Sequence, residues 1–470
     1  MASGHMPTAM LRLAEAQHGA WTRLRTTLVR VLRDHRSNDA ATRAVLSTFD
    51  ALPYSMRPQP SATWLPSEEE LACATRGVRP AVDAAELPSS VFDALVQAVA
   101  IERDALAAGP PSSDVAERVT IKGGRMQSVT RRSGDKAEAA GLSLLLPGRR
   151  LRWLRRAHEA CGHDDKGGPA QIEEAFRRRL YVLLCRYDGM AGGQAGAGTQ
   201  AAVPAGVYDA LESWAGAPPG TALEAFASPL NHRLTPFYDF DDPRHGGKRS
   251  FWHEDSTRSG RVDRRASAAP KLLPPWFCGA FSDVDAAFGG RGSFYDLSGL
   301  PSHRVRTQPD GSTPLLPIVA NPPYLGWAMD ALAPKLEQLM GARRAPRAAC
   351  LVVVPARDDR PAHEAPYAAA LAASPLLRGR MSLDAEEHAF STGHAHRRGM
   401  PVHDFRRCRW RTDVYLLANR HLPAERCDEL LRRVADAFRV PDEEVVRADG
   451  RGRSYSLARG HASRAGASGG

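Results

Sequence analysis

The chain has 470 residues and a mass of 51.0 kDa, with 43% hydrophobic residues, a formal charge of +10 and a pI near 9.5. That length holds two domains or one large domain with additions, no apolar run is long enough for a membrane span, and the basic excess favours a polyanionic partner. Seven cysteines (Cys73, Cys161, Cys185, Cys278, Cys350, Cys408, Cys427) lie scattered without a C-x-x-C, which speaks for reduced thiols and an intracellular setting rather than a disulfide frame or zinc site.

Met1-Ala2-Ser3-Gly4-His5-Met6 reads as an expression scar. From about 7 to 50, Leu11, Leu13, Trp21, Leu24, Leu28 and Leu32 recur with helical spacing, predicting an amphipathic packing helix. A proline-rich link (Pro53, Pro58, Pro60, Pro66) leads to helical segments near 68–75 and 88–107, and then to a loop at 109–113. Val119-Thr120-Ile121-Lys122-Gly123-Gly124-Arg125 predicts a hairpin turning at the glycines. Arg149, Arg150, Arg152, Arg155 and Arg156 surround Leu151, Trp153 and Leu154 on one helix, whose basic face is either solvated or phosphate-binding. A second helix runs from Glu173 to Tyr187. The loop after it formally contains G-x-G-x-x-A at 196–201. It follows a helix rather than a strand, so the dinucleotide reading fails. Residues 7–176 thus read as a mostly helical N-terminal region, and 177–450 as an α/β core.

In that core Ala222 to Asn231 reads as the first sheet strand, stopped by Pro229 and tipped with Ser228 and Asn231. A basic stretch at 241–269 follows, including Lys248, Arg249, Arg258, Arg261, Arg264 and Arg265. Phe281 to Asp285 leads into Phe288-Gly289-Gly290, whose glycines allow close backbone approach. Asp296 takes the place of a ribose-binding acid at a strand end. Leu315 to Ala320 predicts a buried strand that must stop at Asn321-Pro322-Pro323-Tyr324, because Pro322 has no donor and pushes Asn321 out of the helical region. A helix to about Met340, a strand at 348–354, a loop rich in histidine and acid at 382–396, a strand at 411–419 and a helix around 423–438 complete the core. The tail, 451–470, reads as disordered.

Asn-Pro-Pro-Tyr after an apolar strand resembles motif IV of the S-adenosylmethionine-dependent methyltransferases that act on a planar amino or amide nitrogen. The chemistry accounts for the residue types. Asn321 and the Pro322 carbonyl accept the two amine hydrogens and direct the nitrogen lone pair, while Tyr324 stacks on the ring, so positioning replaces a strong base. Adenine in RNA, adenine in DNA and a protein glutamine amide all remain open at this point, as does a non-catalytic RNA-binding module.

Four stretches in order resemble the phosphorylated-CTD-interacting-factor family: Arg186-Tyr187 with its glycine loop, Phe226-Ala227-Ser228-Pro229-Leu230-Asn231, Phe281 to Asp285 with Phe288-Gly289, and Asn321 to Tyr324. Glu387-His388 to His396 and Val414 to Leu417 are similar to its carboxyl-terminal part. The resemblance implies a Rossmann-like S-adenosyl-L-methionine-dependent core with an N-terminal helical region. It implies methyl transfer to N6 of the first transcribed adenosine beside a 7-methylguanosine cap, in the nucleus or alternatively the cytoplasm. It places Asn321, Pro322, Pro323 and Tyr324 at the catalytic centre. Ser228, Pro229, Asn231, Asp283, Asp285, Phe288, Gly289, Asp296 and Asn321 are expected at the cofactor. Arg186, Tyr324, Glu387, His388, Phe390, Gly393 and His396 are expected at the RNA. No metal is implied. The family's usual phenylalanine is Tyr324 here, the basic stretch looks inserted, and no WW domain is readable, which speaks against polymerase II tail binding.

Overall fold

A computed structural model describes residues 8–34, 65, 89–108, 117–123, 126–133, 139–161, 168–190, 201–233, 275–279, 282–301, 314–324, 326–356, 366–392, 405–439, 446–448 and 454–456. The N-terminal region is built on α1 (Thr8–Asp34). Its stripe of Leu11 and Ala14 packs toward α4 (Pro169–Met190), while Trp21, Leu24, Leu28 and Leu32 pack on Leu95, Val99 and Leu106 of α2 (Ser89–Ala107). The three- and four-residue spacing of these side chains puts them on one helical face. Strands β1 (Glu117–Gly123) and β2 (Met126–Ser133) form the expected antiparallel hairpin, and a third strand, β3 (Ala139–Pro147), joins β2. The sequence reading lacked β3. Glu15 ties three elements together by pairing with Arg131 of β2 at 2.5 Å and accepting from the Tyr181 hydroxyl of α4.

From β3 the chain passes into α3 (Gly148–Ala160), then α4, β4 (Ala201–Ala202) and α5 (Ala205–Ala215). It next enters a mixed five-stranded sheet of β5 (Leu223–Glu224), β6 (Leu316–Ala320), β7 (Ala348–Pro355), β11 (Thr412–Ala418) and β8 (Leu377–Leu383), hydrogen-bonded in that order. β5, β6 and β7 are parallel, and β11 runs against both β7 and β8. Beyond β5 the sheet continues through single parallel bridges, Glu224 to Phe277 and Phe277 to Gly290. The chain therefore builds outward from β5 on one side and then returns to lay β6 on the other. That reversal opens a crevice between the carboxyl ends of β5 and β6.

Every residue of β7 is buried because both faces are covered, which is why it reads as a continuous apolar run. Ala349, Leu351 and Val353 meet α5 and α10 (Ala424–Phe438). Ala348, Cys350, Val352 and Val354 meet α8 (Leu332–Gly341) and α9 (Pro366–Ala373). Each such valine or leucine contributes about 1.5–3 kcal/mol on burial. Two short sheets flank the core: β10 (Phe405–Arg407), β9 (Ala389–Thr392) and β4 make one, and β12 (Val446–Ala448) pairs with β13 (Ser454–Ser456). The β13 pairing lies within the tail expected to be disordered. The basic stretch 241–269 lies outside the described residues. Among the described residues six cysteines are free thiols, five of them buried.

Candidate active site

β6 is buried along its whole length and delivers Asn321 and Tyr324, both half-buried, to the crevice, with Pro322 and Pro323 buried beneath. The Tyr324 hydroxyl donates to Asn321 Oδ1 at 3.4 Å, a long bond. Burial raises the Tyr324 hydroxyl well above its ordinary value, with Cys408 and Tyr367 adding to the effect, so it stays a donor at neutral pH. Its ring meets Trp410 edge to face, centroids 6.1 Å apart. This end of β6 therefore offers an amide acceptor next to an aromatic ring, a geometry suited to orienting a flat amine-bearing ring.

Across the crevice the strand begun by β5 keeps pairing beyond Glu224, Ala225 N–H to the Val319 carbonyl and Ala227 N–H to the Cys278 carbonyl, both 2.9 Å. It stops in a turn at Ser228, short of the expected Asn231. Asn231 Oδ1 accepts from the Ser228 N–H at 2.6 Å and from its hydroxyl at 2.9 Å, while Ser228 Oγ accepts from the N–H groups of Leu230 and Asn231, both 3.2 Å. Ser228 is fully buried. The polar atoms of Ser228 and Asn231 thus shape the turn, and Pro229 is buried with its carbonyl directed at Arg150. Phe226, half-buried, packs on Phe294 and Tyr295 with centroids 5.2 and 5.7 Å away. The Tyr295 hydroxyl donates to the Ala328 carbonyl of the short helix α7 (Gly326–Asp330) that follows β6, bracing the two sides. Asp296 is exposed at the rim, in a 3-10 turn capped by Ser293 rather than at a strand end.

Several expected site residues are occupied elsewhere. Arg186 is buried and donates to Asp283 at 2.6 Å, and the Tyr187 hydroxyl donates to the fully buried Asp285 at 2.7 Å. These two pairs fasten α4 to the short helix α6 (Ser282–Asp285). Phe288 is a core residue, its ring against His158 and Phe176, with no surface left for a ligand. Gly289 has φ +98°, and a Cβ there would lie 2.5 Å from the Pro275 carbonyl oxygen. The close approach it permits is to the protein's own backbone. His388 and Phe390 pack with Phe438 in the core; His388 bonds the Asp384 carbonyl through Nδ1 and Thr412 Oγ1 through Nε2, both 2.8 Å. Glu387 is exposed. Gly393 and His396 lie outside the described residues.

The sequence reading missed four residues. Phe226 and Tyr295 sat inside stretches already singled out. Trp410 stands among basic residues, Arg406-Arg407-Cys408-Arg409-Trp410-Arg411, an aromatic among cations that is itself a signal for nucleic acid. Arg150, on the helix left between two readings, is buried and its Nη1 donates to the carbonyl of His232 at 2.7 Å.

A family model described as "Phosphorylated CTD interacting factor 1 WW domain" matches residues 162–258 and 273–393. Where described, the matched residues are α4, the crevice and most of the central sheet. Proteins named mRNA (2'-O-methyladenosine-N(6)-)-methyltransferase from Homo sapiens and Mus musculus are each 26% identical over 225 residues, covering 47% of this chain. The match spans only about a quarter (23%) of the length of these curated relatives. The matched span contains all four motif stretches and the crevice they build, and over that span the chain is similar to the phosphorylated CTD interacting factor family.

Proposed function

We propose that the chain is an S-adenosylmethionine-dependent RNA methyltransferase with a Rossmann-like core, acting on N6 of the first transcribed adenosine beside a 7-methylguanosine cap. The observation that carries the reading is the position of Asn321 and Tyr324 at the carboxyl end of β6, where the strand order reverses. The similar mammalian proteins are named for N6 methylation of 2'-O-methyladenosine in mRNA, which supports an RNA adenosine as the substrate.

The residues present fit an adenosine-bearing methyl donor: Phe226 and Tyr295 offer half-exposed rings and Asp296 a carboxylate at the rim. When bound, that donor supplies an electrophilic sulfonium methyl. Asn321 Oδ1 accepts one hydrogen of the adenine amine, displacing the long bond from Tyr324, and the Pro322 carbonyl accepts the other. Tyr324 supports the base, and the neighbouring rings exclude water. Positioning of this kind favours a pyramidal nitrogen without a strong base.

Tritium transfer from labelled S-adenosylmethionine to capped RNA, uncapped RNA, duplex DNA and protein, run side by side, tests the reading. The expected result is label in capped RNA beginning with adenosine, and none when guanosine comes first. Equal labelling of uncapped RNA removes the cap requirement. Label confined to DNA or protein moves the enzyme to another substrate class.

A further inference from the structure

Trp410 is 45% exposed, one of two large apolar side chains so exposed among the described residues, and the other, Ile101, lies on α2. Its position is fixed on both sides. Cys408 N–H donates to the His388 carbonyl and the Arg411 carbonyl accepts from Ala356 N–H, both at 2.9 Å, immediately before β11 begins. An indole held this way is presented rather than loosely exposed. Arg409 and Arg411 flank it at the surface. Arg411 approaches Asp384 at 3.6 Å, but both side chains are largely exposed and the pair is weak.

Aromatic rings among cations form the standard surface for single-stranded nucleic acid, since every base has a face to stack and a phosphate beside it. Here the second ring stands at a defined angle: the Trp410 plane is inclined 82° to that of Tyr324, centroids 6.1 Å apart. Bases in a continuous stack are parallel. Two neighbouring bases, one on Tyr324 and one on Trp410, must lie nearly at right angles, and the step between them must be unstacked.

We propose that Trp410, with Arg409 and Arg411, is a second base platform, which takes the nucleotide adjacent to the target adenosine and splays the two bases apart. The proposal rests on the methyltransferase reading for the identity of the first base. It makes Trp410 a source of preference for a flexible single-stranded end, because a paired or stacked end cannot make the turn.

The test uses the full chain with three short RNAs: an intact capped RNA beginning with adenosine, one abasic at the position after the adenosine, and one lacking the cap guanine. Trp410→Ala is expected to raise the KM for intact RNA about tenfold, leaving the KM for S-adenosylmethionine unchanged, and Trp410→Phe to recover most of the loss. Whichever base deletion abolishes the difference between variant and wild type identifies the base on the indole. An unchanged RNA KM, or a rise equally large on both base-deleted RNAs, overturns the platform. Should the wild type transfer no methyl to any RNA, anisotropy binding of the same RNAs decides. Binding about tenfold weaker in Trp410→Ala then sustains the platform while the methyl-transfer reading falls, and equal binding overturns the platform.

Discussion

Arg150 of α3 donates from Nη1 to the main-chain carbonyl of His232, 82 residues away, at 2.7 Å, which ties the N-terminal region to the turn that closes the crevice. The same nitrogen lies 3.5 Å from the Pro229 carbonyl, and the guanidinium rests 5.3 Å from the centroid of the Trp153 ring. Trp153 in turn packs on the His232 ring, centroids 5.3 Å apart. A buried charge shared between two carbonyls holds the Ser228–His232 turn in one conformation.

Arg150→Ala leaves buried carbonyls without this donor and is expected to lower stability by about 2–3 kcal/mol. Because those carbonyls belong to the crevice turn, the KM for S-adenosylmethionine should rise as well. Arg150→Lys keeps a donor but loses the planar stacking on Trp153, so it should recover only part of both effects. Thermal unfolding and steady-state kinetics on the three proteins check this. A loss of stability with unchanged cofactor KM would leave Arg150 a packing residue only.

In the proposed reaction, Asn321→Ala removes the acceptor that matters most as the amine changes shape. Turnover is expected to fall on the order of 100-fold or more, with S-adenosylmethionine affinity little changed. Tyr324→Phe loses only a 3.4 Å bond to Asn321 and should be mild. Tyr324→Ala loses a stacking surface worth about 1–3 kcal/mol per base, and both RNA affinity and turnover should suffer. Single-turnover rates and RNA binding separate the two roles. Near-normal turnover in a folded Asn321→Ala protein would end the claim that this amide orients the amine.

His388 titrates below the ordinary histidine range, because burial opposes its charged form more than Asp384 and Glu387 favour it. Its neutral ring donates from Nδ1 to the Asp384 carbonyl and accepts at Nε2 from Thr412. The unfolded chain therefore takes up a proton here at higher pH than the folded one. Stability from this group is fully present above about pH 6.5 and is lost as pH falls below that, toward the lower folded value. Chemical denaturation between pH 8 and pH 5 (about one-half-unit steps suffice) should show a decline that His388→Gln reduces. Equal slopes in both proteins would remove His388 as its source.

Replacing Lys248, Arg249, Arg258, Arg261, Arg264 and Arg265 with neutral residues should weaken RNA binding and flatten its salt dependence. The slope should fall by roughly 0.7 for each phosphate of a single strand that these side chains no longer neutralise. Binding titrations across a range of salt concentrations measure this directly. An unchanged slope assigns the basic stretch to solvent or to a protein partner.

The strands at 316–320, 348–355 and 412–418 and the helices at 8–34, 169–190 and 424–438 were legible because each carries a local signal, a helical stripe or an unbroken apolar run. Asn321 to Tyr324 was legible for the same reason: two prolines end a buried strand at a defined residue. Which polar side chains face the crevice was not legible. Arg186, Asp283 and Asp285 have the residue types of a binding site, yet Arg186 pairs with Asp283 and Tyr187 with Asp285, across 97 and 98 residues of sequence, to join α4 to α6. His388 and Phe390 look like a substrate loop, but the rings against them come from Phe438, far along the chain. Trp410 reaches Tyr324 only because β11 runs antiparallel beside β7 and the turn before it arrives at the carboxyl end of the parallel strands. Local sequence determines where strands and helices begin and end; which charges neutralise one another and which rings meet depends on sheet order, which brings together residues with no spacing relation along the chain.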